Sequence, residues 1–85
     1  MTNYTVLLFY KYVPLADPAA VVASQKELCT RLNLKGRLLI ADEGINGTLA
    51  GTTQETNEYI ATMQALPEFA DIEWKQSSAS EQVFP

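Results

Sequence analysis

Apolar residues gather in a few clusters along the chain, and the spacing inside each predicts its element. From Thr5 to Val13 they are almost continuous, as expected of a strand with neighbours on both sides and a covered face. Pro14 ends that run. Asp17 and Pro18 then supply a side-chain N-cap followed by proline at the first helical position, where its missing N–H costs nothing. Beyond them Val21, Leu28 and Leu32 share one helical face, with Val22 and Cys29 beside it. Asn33 suits a left-handed cap, and Leu34 can fold back on the last turn.

The stretch Lys35 to Gly51 reads as strand, tight connection, strand. Leu38-Leu39-Ile40-Ala41 passes into Asp42-Glu43-Gly44-Ile45-Asn46-Gly47 and resumes as Thr48-Leu49-Ala50, with Asn46-Gly47 as the hairpin signal because both residues accept positive φ. Thr52 with Glu55 three residues on is a capping box. Behind it Thr56, Tyr59, Ile60, Met63 and Leu66 mark a second helical face, stopped by Pro67. From Asp71 to Gln76 the alternation of Ile72 and Trp74 with Glu73 and Lys75 predicts a half-buried strand. Residues 77–85 lack periodicity and are expected to be a flexible tail, although Val83-Phe84-Pro85 is an apolar ending of the kind left where a domain continues into a longer protein.

The order β-α-β-β-α-β predicts an α+β, ferredoxin-like domain: a four-stranded antiparallel sheet with two helices on one face and the first and third strands central. Its 85 residues make one domain. One cysteine, Cys29, allows no internal disulfide and fits a reducing cytoplasm. The N-terminus does not resemble a signal peptide, and its apolar run is too short to cross a bilayer, so no membrane association is expected. A net charge of −4 would repel phosphate if spread evenly, which argues against this domain as the main RNA-binding surface.

The block Gly36 to Thr48, with its GINGT core, adds a resemblance. Together with Tyr10-Lys11-Tyr12-Val13, Pro67 to Ile72 and Lys75-Gln76-Ser77, it is similar to the N-terminal, acylphosphatase-like domain of the rhodanese-related tRNA uridine hydroxylases. The resemblance implies a longer parent with a downstream rhodanese-type domain that holds the active-site cysteine. It also implies the parent's reaction, oxygen-dependent hydroxylation of the tRNA wobble uridine to 5-hydroxyuridine. tRNA would then be a partner of the full-length protein, and the present domain would assist tRNA binding or brace its neighbour.

The residues themselves offer little chemistry. There is no histidine, no spaced pair of metal ligands and no phosphate-binding glycine loop, so no catalytic residue, metal or cofactor is expected. Cys29 has no activating base in its helix and reads as a small hydrophobe. Asp42, Glu43 and Asn46 could place oxygens around a hard cation, but adjacent strand residues point to opposite faces, and shaping the hairpin is the favoured reading. The loop Lys11 to Asp17 lacks the Gly and Arg with which acylphosphatases hold phosphate, so shared architecture is not expected to bring that hydrolysis.

If Val6, Leu8, Tyr10, Leu38, Ile40, Ile72 and Trp74 face the helices, alternation sends Lys11, Arg37 and Lys75 to the open face, with Leu7, Phe9 and Leu39 among them. These three cations, with Glu43 and Asn46 of the hairpin, are the candidate contacts for RNA or for a companion domain. Three functions follow: an accessory, non-catalytic domain of a tRNA uridine hydroxylase, a stand-alone interaction module, or an acylphosphatase-type hydrolase. The first is favoured by the resemblance.

Overall fold

The computed structural model describes residues 3–81. Strand β1 (Tyr4–Tyr12) is followed by α1 (Pro18–Arg31), β2 (Lys35–Ala41), β3 (Gly44–Thr52), α2 (Thr53–Gln64), a 3-10 turn at Pro67–Phe69 and β4 (Lys75–Ala79). The strands are antiparallel in the order β2-β3-β1-β4, with both helices packed on one face, so the ferredoxin-like arrangement expected from the element order is what the chain adopts.

The helix ends follow the cues in the sequence. Asp17 accepts the Ala20 N–H at 3.1 Å, which satisfies one of the free donors at the start of α1. At the other end Asn33 takes φ 57°. There its N–H donates to the Thr30 carbonyl and that of Leu34 to the Cys29 carbonyl, closing the helix as a Schellman motif. The capping box of α2 forms in full: the Glu55 N–H donates to Thr52 Oγ1 at 3.2 Å, and the Thr52 N–H donates to Glu55 Oε1 at 2.8 Å.

Three expectations are corrected. The first is the phase of β1: Thr5, Leu7 and Phe9 face the helices, while Leu8, Tyr10 and Tyr12 stand open to solvent. An unbroken apolar run does not mark its own phase; packing decides it. Phe9 is seated against Trp74 (centroids 4.7 Å) and Tyr59 (5.9 Å), whereas Tyr10 and Tyr12 can leave their hydroxyls in water. Lys11 shares the parity of Leu7 and Phe9 and so lies on the helix side at the strand's end, not on the open face.

The second is the hairpin turn. Ala41 pairs with Gly44, so the connection is Asp42-Glu43, and Asn46-Gly47 lies inside β3. The turn is pinned from outside the hairpin: the N–H groups of Val13 and Leu15 donate to the carbonyls of Glu43 (3.1 Å) and Asp42 (2.8 Å). Gly47 serves packing, since a Cβ there would sit 2.5 Å from Leu38 Cδ2 and 2.9 Å from Phe9 Cζ.

The third is the last strand. Ile72 and Trp74 fill the core from an extended approach, and ladder pairing begins only at Lys75 opposite Leu8 and runs to Ala79 opposite Tyr4. Ser77 and Ser78, expected in a flexible tail, are therefore paired with Val6 and Thr5. The remaining tail residues from Gln82, including Val83-Phe84-Pro85, lie outside the described residues.

The core between sheet and helices is built around Leu7, Phe9, Leu28, Leu49, Tyr59, Met63 and Phe69. Within it Gln25, 3% exposed, joins two buried groups. The Tyr59 O–H donates to Gln25 Oε1 at 2.6 Å, and Gln25 Nε2 donates to Met63 Sδ at 3.2 Å. The indole N–H of Trp74 is buried with no acceptor among the described residues.

Candidate functional site

Among the described residues, the face of the sheet opposite the helices gathers cations and exposed aromatic rings. Partners in the ladder share a face, so the register reads off cross-sheet rows. One row runs Arg37, Thr48, Leu8, Lys75 across all four strands. The next runs Leu39, Asn46, Tyr10. Tyr12 stands one row further, and its ring meets that of Tyr10 edge-on at 5.9 Å. Tyr10, Leu39 and Tyr12 are 65%, 67% and 80% exposed, too open to serve packing.

A broad depression of about 1320 Å³ follows these rows from Thr48 and Leu39 onward, leaving out Arg37, and wraps around the end of the sheet to Glu43, Asp71 and Glu73. It is open, and larger than the enclosed clefts that take small molecules, so its shape suits an extended chain lying across it.

Of the five residues singled out from the sequence, Arg37, Lys75 and Asn46 stand on this face, and of these Lys75 and Asn46 line the depression while Arg37 lies outside its lining. Glu43 stands in the turn at the rim. Lys11 has the helix-side parity of β1, and its ammonium donates to Asp71 at 2.8 Å where the two residues line the end of the depression. That hydrogen bond holds the Asp71 carboxyl below its ordinary range. Tyr10 and Tyr12 were missed as site residues, and so was Lys35, which begins β2 at the same parity as Arg37. Their parity with Leu8 would have revealed the two tyrosines once the phase of β1 was known.

The loop after β1, where acylphosphatases hold phosphate, is committed otherwise. Two of its amides, those of Val13 and Leu15, already donate to the hairpin turn. Among the described residues no group of three His, Cys, Asp or Glu side chains could hold a metal ion. None of the described helices is long and apolar enough to cross a membrane.

Cys29 is half-buried and free. Burial pushes its thiol up from the ordinary 9.0 to about 11, away from the range of a reactive cysteine. Tyr59 is also raised, first by burial and then by proximity to Cys29. In both groups the folded state holds its proton more tightly than the unfolded state does. The contribution of these two groups to stability should therefore be constant below pH 9 and fall as pH rises from 9 towards 11. Urea unfolding at pH 7, 9 and 10.5 checks this, and Cys29→Ala should flatten part of the alkaline loss.

A four-stranded antiparallel sheet with two helices on one side and exposed tyrosines and cations on the other defines an acylphosphatase-like, ferredoxin-like fold. The family described as the UPF0176 acylphosphatase like domain matches residues 4–85, and the chain belongs to it. Its curated relatives include proteins named tRNA uridine(34) hydroxylase. Those of Staphylococcus carnosus and Enterococcus faecalis are each 49% identical over 96% of this chain. That of Corynebacterium diphtheriae is 40% identical over all of it. The chain spans about a quarter of the length of these relatives, 26–27%.

Proposed function

We propose that this chain is the accessory, non-catalytic N-terminal domain of a longer tRNA uridine(34) hydroxylase, acting in the cytoplasm together with a downstream rhodanese-type domain. Its part is to help present tRNA for conversion of the wobble uridine to 5-hydroxyuridine. The observation that carries this reading is the 49% identity to proteins of that name across nearly the whole chain. Two features of the fold agree with a supporting role. The strands place a cationic and aromatic surface opposite the helices, and the cysteine is a half-buried thiol held protonated. Chemistry on uridine would then fall to the companion domain.

The test is the 5-hydroxyuridine content of tRNA, measured by mass spectrometry in cells lacking the hydroxylase. Complementation with the longer protein should restore the modified nucleoside. The same protein without the segment equivalent to residues 4–85, expressed at equal level, should restore less than a tenth of it. Full restoration by the shortened protein would overturn the proposal.

A further inference from the structure

We propose that the open sheet face binds a single-stranded RNA segment, with bases stacked on Tyr10 and Tyr12 and phosphates held by Arg37 and Lys75. That the ligand is RNA rests on the function proposed above; the stacking surface and the charge pattern stand independently of it.

Charge segregation is the first observation. The chain has six cations and ten carboxylates, and four of the six, Lys11, Lys35, Arg37 and Lys75, lie on the strands. None of the ten carboxylates does. The acidity of the whole is carried by helices, turns and the approach to β4, so the repulsion expected from net charge does not apply to this face. Glu43, Asp71 and Glu73 line the depression at one end of the sheet, with Asp71 engaged by Lys11, and exposed Glu81 follows β4 at the other.

Geometry is the second. Arg37 and Lys75 end the same cross-sheet row on opposite edges, three strand spacings or roughly 14 Å apart. Beside that row lie Leu39, Asn46 and Tyr10, and then Tyr12, so an apolar and aromatic floor adjoins a pair of cations. Aromatic faces within reach of cations are what unpaired bases use, because every base has a π-face and its phosphates seek positive charge. Four-stranded sheets with aromatics on the central strands stack two or three bases in this way. A duplex hides its base faces and would gain only the charge contacts. The Asn46 amide, between Tyr10 and Leu39, offers a donor and an acceptor to a base edge.

The experiment is fluorescence anisotropy with the 85-residue chain, a fluorescein-labelled decauridylate and a labelled RNA duplex of equal phosphate count, at 50 mM salt. Decauridylate should bind at least about fivefold tighter than the duplex. Tyr10→Ala and Tyr12→Ala should each weaken it at least about fivefold. Tyr10→Phe and Tyr12→Phe, which keep the rings, should bind as the parent does and guard against a folding artefact. Arg37→Gln with Lys75→Gln should lower the log–log salt slope by about 1.4, two phosphate contacts' worth. Lys26→Gln, on α1, should change nothing.

Equal binding of duplex and single strand, indifference to the tyrosines, or an equal loss in Lys26→Gln would overturn the inference. So would tighter binding of a protein, the isolated rhodanese-type domain, to the same face. Failure here with loss of 5-hydroxyuridine on domain removal would sink the RNA site and leave the proposed function standing. RNA binding as described, with modification untouched by domain removal, would do the reverse.

Discussion

Replacing Gly44 with alanine is expected to remove a large share of the domain's stability, although the change adds a single methyl group. Gly44 follows the two-residue turn with φ 153°, a conformation that side-chain-bearing residues rarely adopt. A Cβ built there would lie 2.1 Å from the Lys11 carbonyl oxygen, which is backbone of the neighbouring central strand and cannot rotate away. Nor can the turn slide aside, since the Asp42 and Glu43 carbonyls are held by Leu15 and Val13. Strain at a forbidden conformation and overpacking each cost about 1–3 kcal/mol, so a combined loss of about 3 kcal/mol or more is expected. That is a large share of the roughly 5–15 kcal/mol that holds a domain together. For a domain of this size the melting temperature should fall by roughly 12 °C or more in a circular dichroism melt. A fall under about 3 °C would mean the hairpin is not pinned as described.

Tyr59→Ala should cost about as much for a different reason. The ring is fully buried and packs edge-on against Trp74 at 5.9 Å and against Phe9 at the same distance, so truncation leaves a cavity under the sheet. Aromatic-to-alanine changes in cores cost about 3–5 kcal/mol. Tyr59→Phe keeps the ring and removes only the donor to Gln25 Oε1, leaving a buried acceptor unpaired, for which about 1–3 kcal/mol is expected. Urea unfolding of both variants checks the order: alanine well below phenylalanine, and phenylalanine measurably below the parent. Equal stability of Tyr59→Phe and parent would show that the Gln25 bridge contributes nothing.

The elements and their order were legible because they rest on local cues, such as Asp17-Pro18, Asn33 and the Thr52–Glu55 box. Each acts within three or four residues and needs no knowledge of the rest of the chain. What was not legible depends on contacts far apart in sequence. The phase of β1 is set by Trp74 and Tyr59, more than forty residues away, and the run Val6 to Tyr10 is apolar in either phase. The hairpin turn was misplaced because Asn46-Gly47 has the chemistry of a turn. Tertiary structure uses Gly47 as a gap beneath Phe9 and Leu38 and sets Asp42-Glu43 at the bend through amides of the loop after β1. Gln25 was passed over as polar although it sits on the buried stripe between Val21 and Leu28.

The same error of phase shaped the candidate site. Arg37 and Lys75 fall on the open face because β2 and the approach to β4 keep the phase that alternation predicts, whereas Asn46, expected in the turn, reaches that face because it lies inside β3. Lys11 was included, and Tyr10 and Tyr12 omitted, because β1 takes the opposite phase. Once corrected, the face loses one cation to an ion pair and gains two exposed rings. A basic patch thereby becomes a surface that joins cations to exposed aromatic rings, the two features the proposed single-strand site needs.

The most direct measurement is the 5-hydroxyuridine content of wobble position 34 in cells whose only hydroxylase is the longer protein carrying Tyr10→Ala, Tyr12→Ala and Arg37→Glu together. All three side chains are exposed, so the fold should survive, and a Lys26→Glu version serves as the surface-charge control. The modified fraction should drop at least fivefold with the open-face substitutions and stay at the parental level with Lys26→Glu. Parental levels in both would contradict a role for this face in presenting tRNA.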